Sequence, residues 1–281
     1  MKAIPGFKRF ALSSGWFYLL LVGLAIPFLL PLVWMISTAF KPVGTIYANP
    51  LQWIPNPITT ENFQQAWKLL DVPGLMANSL FVTLMTMLGT LISSPLVGFA
   101  FATLPARGKN LLFSILLGTI MVPASVTLLP VFILFSKLGW VDTYLPLIGP
   151  AFFANAFYVF LFRQFFRSLP PDIFDSAEID GCNPLMAYWH IALPLSRPAL
   201  ATVIIFSFIG AWNDYLGPLV FLNSNAKYTI SLGLAQFQGI HYTQLQYLIP
   251  MSLVALMPVV IIFLIAQRYF VQGIVTTGIK G

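Results

Sequence analysis

The sequence predicts an all-α protein, an integral membrane bundle of six transmembrane helices. Three observations carry this expectation. Of 281 residues, 58% are hydrophobic and only 8% charged, against about 25% charged in ordinary soluble domains. The mean hydropathy is +0.86. Six segments are apolar over about the 20 residues that a helix needs to cross a hydrocarbon core of roughly 30 Å. The bilayer is therefore the natural solvent for this chain.

In order, the spans fall at about 16–40, 75–104, 111–136, 145–162, 198–222 and 248–267. Each contains proline or glycine (Pro27, Pro95, Pro123, Pro130, Pro150, Pro218 and Pro258 among them). Membrane helices tolerate these where neighbouring helices satisfy the freed backbone groups. Lys2, Lys8 and Arg9 precede the first span as they would a secretory signal. Its apolar run exceeds a signal's core of about 7–15 residues, so it reads as a retained helix. The expected division is a segment 1–15, a transmembrane domain 16–271 and a tail 272–281.

Orientation follows from Lys and Arg. With a cytoplasmic N-terminus, the inner segments hold Lys2, Lys8, Arg9, Arg107, Lys109, Arg163, Arg167, Arg197, Arg268 and Lys280. The outer ones hold Lys41, Lys68, Lys137 and Lys227. Ten against four places both termini in the cytoplasm. This scatter also accounts for the net charge of +6, since a nucleic-acid partner would gather the charge on one face. The single Cys182 excludes an internal disulfide. His190 and His241 are too isolated for a metal site of three or four ligands. Of the outer segments, 41–74 reads as an irregular cap rich in proline and aromatics, and 223–247 as a partly buried loop.

The stretch "DSAEIDGCNPLMAYWHIALPLSRPAL" (175–200) breaks the apolar pattern between spans four and five. Pro170 and Pro171 suit the first turn of a helix, and Asp172 meets the positive end of its dipole. Gly181 can take the left-handed conformation that stops it. Asn183-Pro184 starts a second short helix, which Pro194 and Pro198 close. The product is a helix–glycine–helix elbow with exposed acids and with Tyr188 and Trp189 exposed. It reads either as an interfacial loop with its aromatics at headgroup level or as a docking knob for a cytoplasmic partner.

The spacing inside the elbow resembles the cytoplasmic signature of the permease subunits of ATP-binding-cassette importers. That signature runs Glu-Ala-Ala, three residues, Gly, nine residues, Ile, one residue, Leu-Pro. Here Asp175-Ser176-Ala177 precedes Gly181 by the same interval, and Ile191, Leu193 and Pro194 follow at theirs. The departures are Asp175 for glutamate and Ser176 for alanine. "MVPASVTLLPVFILFSKLGWVDTYLPLI" (121–148), "WNDYLGPLVFLNS" (212–224), "YTISLGLAQFQG" (228–239) and "QRYFVQGIVTTGIKG" (267–281) are similar to the shorter permease of maltose-type carbohydrate importers.

The resemblance implies a transport subunit rather than an enzyme, with a second permease, two cytoplasmic ATP-binding subunits and an extracytoplasmic binding protein as partners. It implies a sugar as substrate, or alternatively a polyol or glycerol phosphodiester. ATP and Mg would be held by the partners, since no GxxxxGK[ST] loop occurs here. The coupling loop, 170–197, would dock through Asp175, Ser176, Ala177, Glu178, Asp180, Gly181, Ile191, Leu193 and Pro194. Residues 228–239, with Tyr228, Gln236 and Gln238, would contact the binding protein or cover the pore. The tail would reach the ATPase pair or end in solvent.

Asp214 is the acid within an expected span, roughly 24 Å along from Pro198. With Asn213 it reads as an outer gate or partner-permease contact, or as part of a structural hydrogen-bond network. Arg163 and Arg167, one turn apart, reach toward headgroups or toward the elbow's acids. An ion-gradient transporter would account for the spans and Asp214 but not for the elbow. No HExxH or GxSxG supports an intramembrane enzyme.

Overall fold

The computed structural model describes residues 14–46, 52–239 and 243–277. Among them every regular element is helical, and one isolated bridge joins Gln238 to Thr243. The chain divides into two compact units, the described residues up to Leu70 with Phe237–Val254, and Asp71–Gln236 with the remainder.

In the first unit, α1 (Ser14–Ala39) is apolar around its circumference, as a lipid-facing helix must be. Its end is held by polar contacts. The Ser37 hydroxyl donates to the Trp53 carbonyl, and the Lys41 ammonium lies 3.6 Å over the Trp34 ring. Burial holds the Lys41 ammonium below its usual pKa. The 41–74 segment is more regular than an irregular cap, since it contains α2 (Glu61–Leu69). That helix forms because Gln65 donates to Glu61 one turn back and buried Asn62 donates to the Lys41 carbonyl at 2.7 Å. The Tyr247 hydroxyl donates to Gln65 at 2.8 Å.

The second unit opens with α3 (Val72–Thr103), whose first turn is capped by Asp71 accepting from the Gly74 amide. It is followed by α4 (Lys109–Ile120), α5 (Ala124–Lys137), the short α6 (Leu145–Ile148) and α7 (Ala156–Arg167). Helix α3 is the axle of the unit. Thr90, Ser94 and Gly98 recur every fourth residue on a buried face, and such small residues let membrane helices approach closely. A Cβ on Gly98 would stand 2.6 Å from the Phe162 Cβ and 3.1 Å from the Val159 carbonyl.

The elbow supplies α8 (Pro171–Ile179), α9 (Pro184–Ala187), a π turn over Tyr188–Ala192 and α10 (Leu193–Leu195). Then come α11 (Arg197–Trp212), α12 (Leu216–Phe221), α13 (Ile230–Ala235) and α14 (Leu245–Thr277).

Among the described residues, four stretches are long and apolar enough to cross a membrane: Tyr18–Ala39, Val72–Thr103, Leu145–Arg167 and Leu245–Ile265. Two bent helix pairs bring the number to six if each is one crossing. The expected third span, 111–136, is one of these, α4 and α5 meeting at 99°. Pro123, which has no amide hydrogen, stands at the break. The expected fifth span, 198–222, stops as a continuous helix at Trp212, and residues 213–215 separate it from α12. Asp214 therefore lies in a break rather than inside a helix. The segment placed as a tail, 272–281, is helical through Thr277. Its last four residues lie outside the described ones, as do residues 1–13 and His241.

Candidate functional site

The elbow has two faces. Helix α8 ends in a Schellman arrangement: the Cys182 amide donates to the Ala177 carbonyl at 2.9 Å and the Gly181 amide to the Glu178 carbonyl at 3.0 Å. This closure requires a left-handed residue, and Gly181 supplies it at φ 82°. Asn183 then caps α9, accepting from the Met186 amide at 2.8 Å. Within the π turn the Leu193 amide donates to the Tyr188 carbonyl, five residues back. The widening falls just ahead of Pro194, whose ring and missing N–H would conflict with a regular turn.

Because of that geometry, adjacent side chains part company. Tyr188 is buried and Trp189 exposed. The expectation that both aromatics are exposed is corrected for Tyr188, and burial raises its phenol pKa. Ala177, Ala187, Tyr188 and Ala192 root the elbow, the last three in a cluster with Phe99, Phe162, Phe166, Ala199 and Val203. Ala177 thus belongs to the inner face. The outer face presents Asp175, Ser176, Glu178 and Asp180 with Ile179 (87% exposed), Leu185, Met186 and Trp189. Ile191 and Leu193 are half-buried and Pro194 is exposed.

A second feature is a cavity of about 720 Å³. It is lined by Thr86 and Thr90 of α3, Asn155 and Tyr158 at the start of α7, Ser207 of α11 and Asp214, with apolar residues between. Asp214 also has a structural task. Its Oδ1 accepts from the Gly217 amide at 3.0 Å, capping α12. A Cβ at position 217 would stand 2.3 Å from Asp214 Oδ2 and 2.9 Å from Leu147 Cδ2, so glycine there lets the carboxylate fold back. Asn213 is exposed.

The third feature escaped sequence reasoning. Asp142, in the left-handed region at φ 58°, accepts from the Asn223 and Ser224 amides, both at 2.9 Å, and from the Ser224 hydroxyl at 2.6 Å. Lys227 forms an ion pair with it at 2.8 Å. These donors, Lys227 first, hold the Asp142 carboxyl well below the usual carboxylate range. Aspartate can enter that region because its short side chain hydrogen-bonds locally, but nothing in the sequence around it marks Lys227 as its partner. The clasp joins the loop before α6 to the loop after α12. Nearby, Asn78 of α3 donates to the Ala226 and Tyr228 carbonyls. Tyr228 is half-buried, while Gln236 and Gln238 are exposed. Asn78 and Phe99 are 21 residues apart on α3, roughly 32 Å, so the clasp and the elbow occupy opposite ends of the helix.

Residues 94–276 match the family described as "Binding-protein-dependent transport system inner membrane component". The arabinooligosaccharides transport system permease protein AraQ of Halalkalibacterium halodurans is 34% identical over 273 residues, covering 94% of this chain and 96% of that protein. The trehalose/maltose transport system permease protein MalG of Thermococcus litoralis is 30% identical over 271 residues, covering 94% and 96%. A chain in the crystal structure of a bacterial ABC transporter involved in the import of the acidic polysaccharide alginate shares the fold. Its TM-score is 0.78 at 24% identity, over 95% of this chain and 100% of that one. The matched region runs from the seam of α3 through the elbow to α14, and on these grounds the chain belongs to the binding-protein-dependent transport system inner membrane components, a family of multi-pass membrane permeases.

Proposed function

We propose that the chain is the permease of an ATP-driven importer of a sugar or oligosaccharide. It would work beside a second permease, two cytoplasmic ATP-binding subunits and an extracytoplasmic binding protein. The two-faced elbow carries this reading. A connecting loop has no need to expose Ile179, Leu185, Met186 and Trp189 among three acids, Asp175, Glu178 and Asp180, while rooting its other face among Phe99, Phe162 and Phe166. A lever gripped by a separate engine needs both faces. Docking would bury the apolar outer residues and pair the acids with basic groups of the ATPase. The energy of ATP binding moves the helices only through contacts that differ between two states.

The substrate class rests on the relatives transporting arabinooligosaccharides and trehalose or maltose, together with a cavity lined by Thr86, Thr90, Tyr158, Ser207, Asn155 and Asp214. Such a lining offers hydroxyl, amide and carboxylate partners to a polyhydroxylated solute. We place the elbow end in the cytoplasm, and Arg107, Lys109, Arg163, Arg167 and Arg197 near that end support this. The segment 228–239 would then face the binding protein, and Asn213 and Asp214 the outer part of the passage.

The test is uptake into vesicles bearing the assembled transporter, with ATP supplied and ion gradients collapsed. Oligosaccharides, polyols and glycerol phosphodiesters are offered in turn. Gly181→Asp should abolish binding-protein-stimulated ATP hydrolysis while membrane insertion persists. Normal transport by that variant, or uptake that dies with the ion gradient, would refute the proposal.

A further inference from the structure

We propose that the recess between the start of α4 and the end of α7 binds the phosphate headgroup of an anionic membrane lipid. Lys109, Asn110, Arg163 and Arg167, with Phe101 and Ala102, line a cavity of about 270 Å³. Three cationic side chains thus converge. Among the described residues the one ion pair is Lys227–Asp142, so no described carboxylate neutralises them. The elbow's acids, one of the two partners expected for the arginines, form no ion pair with them.

Two of the three cations are held rather than splayed. The Lys109 ammonium donates to the Leu104 carbonyl at 2.8 Å. Arg163 Nε donates to the Phe101 carbonyl at 3.3 Å, and its guanidinium lies 3.9 Å over the Phe113 ring. Like charges fixed close together repel, and an anion between them removes that cost. The first turn of α4, a twelve-residue helix, opens at the same place and adds the positive end of its dipole.

The recess adjoins an apolar surface. Leu111, Leu112 and Ile115 of α4 are 66%, 57% and 58% exposed. A free phosphate would leave this row idle, whereas a phospholipid places its acyl chain along it. Basic recesses between helices at the membrane boundary suit such headgroups. The inference stands apart from the sugar and coupling readings, since it uses no residue of the elbow or of the 720 Å³ cavity.

The experiment uses the assembled transporter, stripped of lipid in detergent and offered equal amounts of dioleoyl phosphatidylglycerol and dioleoyl phosphatidylcholine. Bound lipids are counted by native mass spectrometry. The expected result is preferential retention of phosphatidylglycerol. Arg167→Gln should weaken it about fivefold and Lys109→Gln with Arg167→Gln further, each cation near the surface contributing by about that factor. Arg167 is exposed, and Arg163 is left intact because it braces Phe101. Equal retention by the native protein and the double variant would overturn the site. So would displacement of the lipid by inorganic phosphate in excess, or a preference seen only after the ATP-binding subunits are removed.

Discussion

The rings of Tyr188 and Phe99 lie 5.4 Å apart, which ties the elbow to the same aromatic cluster that seats α3 on α7. Phe99 also meets Phe166 at 5.7 Å and Phe174 of α8 at 5.9 Å. Both halves of the elbow therefore converge on one side chain of the axle helix. A displacement of the elbow has to move α3 or break this cluster, and a close-packed cluster does not deform continuously.

Tyr188 and Trp189 should separate fold from docking. Tyr188→Ala leaves a void where the elbow is rooted and should cost about 3 kcal/mol, near the lower bound for large aromatic truncations. Thermal unfolding of the purified transporter measures it, and Tyr188→Phe should restore most of the loss. Trp189→Ala should leave unfolding within about 0.5 kcal/mol and instead weaken capture of the ATP-binding subunits. Reversed effects would exchange the two faces.

Part of this was legible in the sequence. Gly181, Asn183 and Pro184 specify local backbone geometry, and the structure gives them the left-handed turn and cap expected from their chemistry. The partition of Tyr188 from Trp189 was not legible, because a π turn shifts the helical register that periodicity assumes. The breaks at 121–123 and 213–215 also escaped, since hydropathy counts apolar residues and is blind to a change of direction. The clasp joins Asp142 to Lys227 across 85 residues, and nothing local marks such a pair.

Two glycines should fail for different reasons. Gly98→Ala places a methyl 2.6 Å from the Phe162 Cβ with backbone atoms behind it. The overpacking should destabilise the α3–α7 seam by about 1–3 kcal/mol. Gly181 has nothing within 4 Å of a Cβ, so Gly181→Ala should cost only the left-handed penalty of about 1 kcal/mol. Gly181→Asn should cost less than Gly181→Val, because asparagine enters that region readily. Unfolding measurements on the four variants check the ordering.

The clasp sets a pH dependence. The folded-state pKa of Asp142 lies below its unfolded value, so its contribution is complete above the ordinary carboxylate range of about 4 and is lost as pH falls through the depressed value. Asp142→Asn should therefore melt lower than the native protein by a constant margin from pH 7 down to about pH 5. That margin should narrow only in more acidic solution. A margin that shrinks between pH 7 and pH 5 would point to a different titrating group.

Asp214 carries two tasks that substitution can divide. Asp214→Asn retains an oxygen to accept from the Gly217 amide, so the cap and the thermal stability should persist. Asp214→Ala removes the cap and should cost about 1 kcal/mol. If the carboxylate also serves the passage, Asp214→Asn lowers uptake at unchanged stability, because the charge alone has left the cavity. Gly217→Ala should mimic that loss with the charge still present, since the new methyl would evict the carboxylate from its folded-back position on the Gly217 amide. Native uptake by Asp214→Asn, with loss only in Asp214→Ala, would reduce Asp214 to a helix cap.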